Sequence, residues 1–493
     1  MNPGQFEHRM LIDGKQVEAR SGKHYASLNP ATGAVLGEVA DASPEDMALA
    51  VAAARRAFDE TDWSTNHRFR QKCLQQLQDA LRSEAQRMRD VQVQDAGMTA
   101  TAAAALVESV TAGMSFMIKL AGDYPYQKRY DNALVGGIEQ QRYQLRKPFG
   151  VAGLITSWNA PFLVNVWKLT PALASGNTAV LKASPLAPFT TTELGRLIVE
   201  QTDIPPGVVN IVTSGDRAEV GEALTGDPRV DMFSFTGSSK TGTRVMERAA
   251  QGIRKVELEL SGKSANLLLE DADLDKAVPF SANMSCMLSG QGCALPTRLL
   301  VHTRLYDEVI DRLKQQFSLM VVGNPAEPRT TMGPVISAEQ KSRILGLIEA
   351  GKRECRLVMG GGVAEVDEAL RGGYWIQPTI FADVRPSAEI AQQEIFGPVL
   401  SVIRFSSDEE AIRIANGTQF GLAAYIQTRD LDRAQRIAPR LRAGGVGFNG
   451  AVAFAHPDIP FGGVGVSGLG RKNGVEGFEE YLHSMIVVAP TRV

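Results

Sequence analysis

Cysteine and histidine are both scarce in this sequence, with four and six copies among 493 residues. No two cysteines form a CxxC pair and no histidines show HxxxH spacing, so neither a disulfide framework nor a local zinc motif is indicated. We therefore expect reduced thiols and no metal. An uninterrupted apolar run of about 18 residues is also missing, and the N-terminal residues lack an apolar signal core. These absences predict no membrane association and a cytoplasmic location.

The chain also lacks a strong excess of charge of either sign. Its formal net charge is −3, which gives no electrostatic attraction for nucleic acid or for an anionic membrane surface. Hydrophobic residues make up 44% and charged residues 22% of the sequence, which is enough for a large globular protein of two or three lobes. We expect a protein that acts on a small molecule.

The N-terminal part contains helix signals. Ser43 is a cap residue followed by proline, and apolar residues from Met47 to Phe58 recur with helical spacing. A second helix-rich stretch covers residues 65–120. The next segment, 127–147, is largely polar and is typical of a protruding ribbon rather than of core.

From residue 150 onwards, short β-rich runs alternate with helix-length segments. The first set of runs is 151–156, 178–182, 208–212, 232–235 and 256–260. The second set is 266–269, 298–302, 399–405, 423–427 and 446–449, with helices predicted between them, notably over 306–318 and 408–415. This rhythm predicts an α/β fold with a doubly wound parallel sheet that binds ligands near its strand C-terminal ends, followed by a second α/β domain.

Cys293 stands in a glycine frame, Gly-Gln-Gly-Cys. A lone cysteine is more often a small buried hydrophobic residue than a reactive one. Here the glycines permit close approach of a ligand, and a thiolate can add to an electrophilic carbon. The apolar stretch from Ala277 predicts a helix that delivers the thiol to a loop. Cys286, on the same predicted helix, has no such frame and is expected in the core.

Glu259 begins the segment Glu-Leu-Ser-Gly-Lys-Ser at the end of a predicted strand. By its period of two, this strand presents Glu257 and Glu259 on one face, and a solvated strand face is the simplest interpretation of both. The Ser-Gly-Lys turn nevertheless places Glu259 at a strand C-terminal end, where α/β active sites lie and where a carboxylate can activate water. We interpret Glu257 as part of a solvated face.

Two further motifs accompany the thiol and the carboxylate: Trp158-Asn159 after the first strand, and Glu-Ile-Phe-Gly-Pro-Val at 394–399. Together these motifs and their spacing resemble the NAD(P)-dependent aldehyde dehydrogenase family over nearly the whole chain. The resemblance implies that Cys293 is the nucleophile and that Glu259 deprotonates the hydrolytic water. It also implies a Rossmann-like cofactor domain, an α/β catalytic domain and a small β oligomerisation element.

The resemblance assigns two more side chains near the reacting atoms, and a third side chain departs from it. Asn159 matches the oxyanion-hole asparagine, whose amide donors hold a developing charge together with the backbone N–H of Cys293. Lys168 matches a lysine that is sometimes assigned to a proton relay. Lys472 departs from the family pattern, because many relatives carry the glutamate of that relay at this position.

A dinucleotide cofactor is also implied. The segment from Phe235 to Gly242 joins a strand to a helix whose N-terminus would face a pyrophosphate. Lys182 matches the lysine that bonds the adenosine ribose, and Pro185 replaces a glutamate that would repel a 2′-phosphate. We expect NAD, with NADP left open. The predicted cofactor contacts are Thr156, Ser157, Trp158, Lys182, Gly237, Ser238, Gly242, Leu260, Glu394 and Phe396.

Positions of the substrate tunnel follow from the same match. They are Ala160, Val164, Trp167, Met287, Gly292, Ala294 and Phe454, with His456 as a residue that could line the mouth but is more simply an exposed loop histidine. These positions are mostly small or apolar and include no arginine or lysine, which disfavours a semialdehyde whose distal carboxylate needs a cation. An aliphatic, terpenoid or aromatic aldehyde is expected as substrate, oxidised to its carboxylic acid.

The resemblance further implies a division of the chain and an oligomer. Residues 1–128 and 149–260 are expected to form the dinucleotide-binding domain, and 261–465 the catalytic domain. Segments 129–148 and 476–493 would form the oligomerisation element of a homodimer or homotetramer.

Alternative functions remain open at this point. A semialdehyde dehydrogenase differs in the tunnel, and a CoA-acylating enzyme is disfavoured by the presence of Glu259. A thiol hydrolase without cofactor would need a basic partner for Cys293, and no histidine is obviously placed to serve. A non-catalytic binding or structural member of the family is disfavoured by Cys293, Glu259 and Asn159 together.

Overall fold

The computed structural model describes residues 6–216 and 218–491. The first five residues of the predicted dinucleotide-binding domain, residue 217 and the last two of the predicted oligomerisation element lie outside the described residues. The N-terminal elements are β1 (Met10–Ile12), β2 (Lys15–Val17), β3 (His24–Leu28), β4 (Val35–Ala40), α1 (Pro44–Glu60), α2 (His67–Ser83), α3 (Ala85–Asp95) and α4 (Ala100–Asp123). Ser43 caps α1 by accepting a hydrogen bond from the Asp46 N–H, which confirms the predicted helix start.

Helix α4 is long and apolar enough to cross a membrane by length and composition. Core helices of soluble proteins have the same features, and α4 packs against α2 and α3 with one face buried. The expectation of no membrane association stays a prediction.

The polar segment after α4 is a hairpin of β5 (Gln127–Val135) and β6 (Ile138–Pro148). Its side chains are mostly exposed, which confirms the predicted ribbon.

The first α/β unit follows the hairpin. Its elements are β7 (Val151–Ile155), α5 (Pro161–Ala174), β8 (Thr178–Lys182), α6 (Phe189–Gln201), β9 (Val209–Val212), α7 (Glu219–Gly226), β10 (Met232–Thr236), α8 (Ser239–Ala250) and β11 (Lys255–Glu259). The strands lie in the order β11-β10-β7-β8-β9 and pair in parallel, so all five predicted runs are confirmed. The chain starts in the middle, at β7, and winds outwards in both directions, which places a ligand crevice beside the end of β7.

The second α/β unit has a sheet of its own. Its elements are β12 (Ala265–Leu268), α9 (Leu274–Cys286), β13 (Arg298–His302), α10 (Tyr306–Ser318), α11 (Ala338–Glu354), β14 (Arg356–Met359), β15 (Thr379–Ala382), α12 (Glu389–Gln392), β16 (Val399–Phe405), α13 (Asp408–Ala415), β17 (Ala423–Gln427), α14 (Leu431–Ile437) and β18 (Gly445–Phe448). The strand order is β14-β15-β16-β13-β12-β17-β18. The five predicted runs and the helices at 306–318 and 408–415 are confirmed, whereas β14 and β15 were not predicted.

The C-terminal segment returns to the other parts of the fold. It contains β19 (Gly468–Leu469), α15 (Gly474–Glu479) and β20 (Leu482–Pro490). Strand β19 pairs with the end of β11, opposite Leu258 and Glu259, and β20 pairs with β6 to complete a sheet in the order β20-β6-β5.

Apolar clusters cover both faces of the first sheet. Leu154 and Leu181 pack on one face with residues of α2, α4 and α5, while Val180 and Phe233 pack on the other with residues of α1. A parallel sheet covered on both faces leaves no solvated side for polar residues of its central strands.

Candidate active site

A cavity of about 760 Å³ lies where the C-terminal ends of β7, β10 and β11 meet the loop that carries Cys293. Most of the residues predicted for catalysis, cofactor and substrate line it. They are Thr156, Ser157, Trp158, Asn159, Ala160, Val164, Trp167, Lys182, Gly237, Ser238, Glu259, Leu260, Cys293, Glu394 and Phe396.

The other predicted residues lie elsewhere. Lys168 is fully buried behind Glu259, and Gly242 packs under Leu260. Ala294 and Phe454 share an apolar cluster with Cys293 but are not among the residues that line the cavity. His456 is exposed outside the lining, as expected.

Two more of the predicted tunnel positions are absent from the lining: Met287 is the C-cap of α9, and Gly292 packs against Leu295, so their place in the tunnel stays a prediction.

Glycines shape the loop that presents the thiol. After α9 the chain turns through Leu288 and Ser289, both in the left-handed region with φ of 52° and 57°. Gly290 follows with φ of 73°, and a Cβ there would lie 2.1 Å from the backbone of Gly397. A glycine is required by both the backbone conformation and the close approach. The predicted helix and loop are thereby confirmed.

Cys293 lies half-buried at the end of this loop, beside the carboxylate of Glu259. Burial raises the pKa of its thiol well above the usual range, and Glu259 raises it further, while the positive charge of Lys472 lowers it. Cys286 is buried, and burial raises the pKa of its thiol to about 12. All four cysteines are free, and Cys293 is the one that lines the cavity.

Glu259 ends β11 and is 5% exposed. Its Oε1 atom is buried and accepts no hydrogen bond from the residues of 6–216 and 218–491. Burial raises the pKa of the carboxyl. The charge of Lys472, a hydrogen bond with Cys293 and the charge of Lys168 lower it. A buried carboxylate with a vacant acceptor beside a thiol is suited to take a proton from a water molecule.

Glu257 is not on a solvated face, contrary to the sequence interpretation. It is 2% exposed, accepts a hydrogen bond from Ser234 Oγ, and has Oε2 3.7 Å from Lys168 Nζ. The predicted shared face with Glu259 is right, but α5 and the C-terminal segment cover it. Glu257 therefore faces two buried lysines, Lys168 and Lys472, instead of the water expected for a solvated strand face.

Two bonds fix the side chain of Asn159 in the loop between β7 and α5. Its Oδ1 accepts from Ser157 Oγ at 2.8 Å, and its Nδ2 donates to the Gln291 carbonyl at 2.9 Å. The second N–H of this amide is left to bind another acceptor. Ser157 thus helps to orient the amide.

The opposite end of the cavity has features that fit a dinucleotide. Ser238 caps α8 by accepting from the Thr241 N–H at 3.2 Å, so the helix N-terminus faces the lining at Gly237. A Cβ at Gly242 would lie 2.5 Å from Leu260, which shows how closely this helix packs onto the end of β11.

A carboxylate and an aromatic ring lie on the second unit's side of this end. Glu394 accepts from the Gly262 N–H at 2.8 Å, and the Phe396 ring lies 5.3 Å from that of Trp158 at nearly a right angle. Arg343 and Gln340, which sequence reasoning missed, donate to the carbonyls of 394–396 and hold this turn. Helix terminus, carboxylate and ring together fit the phosphates, ribose and flat base of a dinucleotide.

A sequence model of the aldehyde dehydrogenase family matches residues 17–487. The chain belongs to the aldehyde dehydrogenase family. An aminoaldehyde dehydrogenase of Pisum sativum is 37% identical over 96% of this chain and 94% of its own length. A 3-succinoylsemialdehyde-pyridine dehydrogenase of a Pseudomonas species is 38% identical, covering 97% of both chains. The solved structure of betaine aldehyde dehydrogenase from Staphylococcus aureus in complex with NAD⁺ is similar with a TM-score of 0.95 and 32% identity, covering 99% of this chain and 96% of that one.

Several residues of this aldehyde dehydrogenase site were not predicted as functional. Leu163 and Phe461 line the cavity beside Trp167, and Thr236 lines it below Lys472. The sequence contained some indication that Leu163 and Thr236 belong to the site. Leu163 is one helical turn before Trp167, and Thr236 directly precedes the predicted glycine turn. Ser234 carried no signal, because a serine within an apolar strand is indistinguishable from a satisfied core hydroxyl.

One group of metal-ligating residue types lies away from this site. His8 and His24 each have Nε2 2.9 Å from one oxygen of Glu18, and none of the three lines the cavity. These hydrogen bonds account for the arrangement, and the expectation of no metal stays a prediction.

Proposed function

We propose that this aldehyde dehydrogenase oxidises an apolar aldehyde to its carboxylic acid, with Cys293 as nucleophile, Glu259 as general base and NAD as the cofactor. The observation that carries the proposal is the placement of the Cys293 thiol beside the Glu259 carboxylate in a cavity that also holds the Asn159 amide. NAD is supported by the fit of the far end of the cavity and by the NAD⁺ complex of the related betaine aldehyde dehydrogenase.

The first step is the attack of the Cys293 sulfur on the carbonyl carbon of the aldehyde. Attack requires the thiolate, whose formation is opposed by burial and by Glu259 and favoured by Lys472. A C–S bond forms and the carbonyl oxygen becomes an oxyanion. The free N–H of Asn159 and the backbone N–H of Cys293 are the donors that would stabilise it.

Oxidation then leaves a thioester on Cys293. NAD, when bound, supplies the hydride acceptor, and Gly237, Ser238, Lys182, Glu394 and Phe396 are the residues that would hold it. The chain's own part is to keep the sulfur, the oxyanion donors and the cavity wall fixed while the C–H bond is lost.

Hydrolysis of the thioester completes the cycle. The vacant Oε1 of Glu259 can accept a proton from a water molecule, whose oxygen attacks the thioester carbon. The C–S bond breaks, the carboxylic acid leaves and the thiol is restored. This use of Glu259 favours hydrolysis over transfer of the acyl group to coenzyme A.

The walls near the thiol support an apolar substrate. Ala160, Leu163, Val164, Trp167 and Phe461 line the cavity there, and none of them carries a charge. The small Ala160 leaves room beside the oxyanion amide. A ring or an alkyl chain would therefore replace water along this wall, and each Å² of apolar surface removed from water would contribute about 25 cal/mol of favourable free energy.

A second candidate substrate is an aldehyde with a cationic distal group. The names of the betaine aldehyde and aminoaldehyde dehydrogenases among its relatives favour it. The rings of Trp167 and Phe461, with centroids 6.2 Å apart, could bind a cation through their faces.

The function is tested by following reduced nicotinamide with a panel of aliphatic, terpenoid, aromatic, carboxylated and aminated aldehydes, each with NAD and NADP. Turnover with the apolar aldehydes and NAD is expected. Turnover with aminated aldehydes alone would favour the cationic candidate, and turnover with carboxylated aldehydes alone would contradict the apolar wall. No reduction with any aldehyde would contradict the proposed activity.

Asn159→Ala is expected to lower kcat about 10²- to 10³-fold, because removing one oxyanion donor costs about 2.7–4 kcal/mol of transition-state stabilisation. Asn159→Asp has the same shape but opposes the oxyanion with a negative charge, and it should be slower still. Dinucleotide binding, followed by fluorescence, should be unchanged in both. Equal rates for the wild-type enzyme and Asn159→Ala would remove Asn159 from the oxyanion site.

We also propose a homodimer or homotetramer assembled through the sheet β20-β6-β5. Leu134, Val135, Ile138, Ile486 and Val488 are each more than half exposed on it. Ile486→Asp should shift the mass measured by light scattering towards the monomer. An unchanged mass would place the interface elsewhere.

A further inference from the structure

Four side chains of β10 and β11 form two adjacent pairs on one face of the first sheet. In the parallel register, Ser234 lies opposite Glu257 and Thr236 lies opposite Glu259. Because side chains alternate along a strand, all four point to the same side. The second pair contains the proposed general base, and the first pair lies directly behind it.

A lysine covers each pair. Lys168, from α5, donates to Ser234 Oγ at 2.7 Å, and Lys472, from the segment after β19, donates to Thr236 Oγ1 at 2.8 Å. Glu257 lies between the lysines, with Oε2 3.7 Å from Lys168 Nζ and Oε1 3.9 Å from Lys472 Nζ. One carboxylate thus faces two lysines, one with each oxygen, and burial together with the charge of Lys472 lowers the pKa of Lys168 well below its usual range.

This arrangement places a buried cation in the active site. Lys472 is 6% exposed and lines the cavity, whereas Lys168 is 0% exposed and does not. Burying an ammonium group is costly unless an opposite charge accompanies it. Glu257 supplies that opposite charge. This explains why a carboxylate stands on a buried face, where an apolar or hydroxyl side chain would be expected.

We propose that Lys472 is a positioning residue for thioester hydrolysis: its ammonium group keeps Glu259 ionised, and Glu257 is the counter-ion that allows this ammonium group to be buried there. The inference rests on the proposed role of Glu259 as general base. In place of a proton-accepting carboxylate at position 472, the chain has a fixed positive charge beside the base.

The direction of the pH effect follows from the charges around Glu259. Four groups face it: Lys472 from the C-terminal segment, Lys168 from α5, Cys293 from the thiol loop and Glu257 from its own strand. Burial and Glu257 raise the pKa of Glu259, and Lys472 lowers it. Loss of the Lys472 charge must raise that pKa, so the base becomes protonated at a higher pH.

The test compares the pH dependence of kcat in Lys472→Gln and in the wild-type enzyme. The acid limb is expected to move upwards by about one pH unit, which corresponds to about tenfold lower kcat on that limb. At high pH the two rates should converge, because Glu259 is then ionised in both. Lys472→Arg retains the charge and should keep the limb in place.

Matched variants separate this effect from a structural one. Lys255→Gln removes a lysine from the other end of β11, about 13 Å away at 3.3 Å per residue, and should leave the limb unchanged. Lys472→Met fills the same volume without charge and serves if the glutamine variant does not fold. A limb that stays in place in the neutral variants, or a loss of kcat that is equal at every pH, would overturn the inference.

The burst of reduced nicotinamide distinguishes a failure of Lys472 as positioning residue from a failure of the proposed function. If Cys293 and Glu259 act as proposed, Lys472→Gln shows a burst on the acid limb, where Glu259 is protonated and hydrolysis of the thioester is slow. A burst with an unmoved acid limb would refute the role of Lys472 alone. Absence of a burst in the wild-type enzyme under conditions that slow hydrolysis would refute the proposed function instead.

Discussion

Cys293→Ser is expected to lower aldehyde oxidation by about 10⁴-fold or more, because a serine hydroxyl is a far weaker nucleophile than a thiolate. The surroundings of the side chain do not compensate for this weaker nucleophile. Glu259 lies beside the sulfur, but its negative charge already opposes ionisation of the thiol, and it would oppose an alkoxide more strongly. Reduced nicotinamide should therefore not accumulate, while dinucleotide binding at α8 should remain close to that of the wild-type enzyme.

Cys286→Ala is the matched control for this change. Cys286 lies on the helix that leads to the thiol loop, is 4% exposed and does not line the cavity. Its replacement should reduce stability slightly and leave the specific activity of the folded protein unchanged. Preserved oxidation in Cys293→Ser, or its loss in folded Cys286→Ala, would contradict the assignment of the nucleophile.

Glu259→Gln is expected to give a burst of reduced nicotinamide followed by turnover about 10²- to 10⁴-fold slower than that of the wild-type enzyme. The carboxamide cannot take a proton from water, so the thioester accumulates. The burst itself should survive. Glu259 raises the pKa of the Cys293 thiol, and its neutral replacement should lower that pKa and extend thiolate formation to lower pH.

Stopped-flow absorbance at several pH values measures both effects. The burst phase in Glu259→Gln should persist at a lower pH than in the wild-type enzyme. Loss of dinucleotide binding in this variant would mean that Glu259 supports the cofactor instead. Loss of the burst with binding intact would mean that the carboxylate acts before hydrolysis.

The sheets were largely predictable because their strands are short apolar runs separated by helices of regular length. The ten predicted runs each form a strand of one of the two large sheets, and α10 and α13 have the predicted bounds. The missed strands β14 and β15 belong to the edge of the second sheet, and β14 is antiparallel and partly exposed. Strand β14 is partly exposed and has no full apolar run, and no α-helix separates β14 from β15 to give the alternating spacing.

The polar interior was less predictable than the sheets. Glu257 was placed on the right face, but a strand pattern cannot show what covers that face. The cover comes from Lys168, 89 positions earlier in the chain, and from Lys472, far beyond it. Only the tertiary fold brings two lysines that are distant in sequence to one carboxylate. The sequence showed that Lys472 departs from the family pattern, but it could not show that Lys472 lies beside Glu257.

Mass spectrometry of the Cys293 peptide is the decisive test of whether the reaction passes through a thioester on Cys293. Glu259→Gln is mixed with NAD and an aldehyde that the enzyme oxidises, quenched in acid and digested. We predict an acyl group of the aldehyde's mass, less one hydrogen, on Cys293 in an amount equal to the burst of reduced nicotinamide. Reduced nicotinamide formed without any acyl group on Cys293 would contradict this prediction.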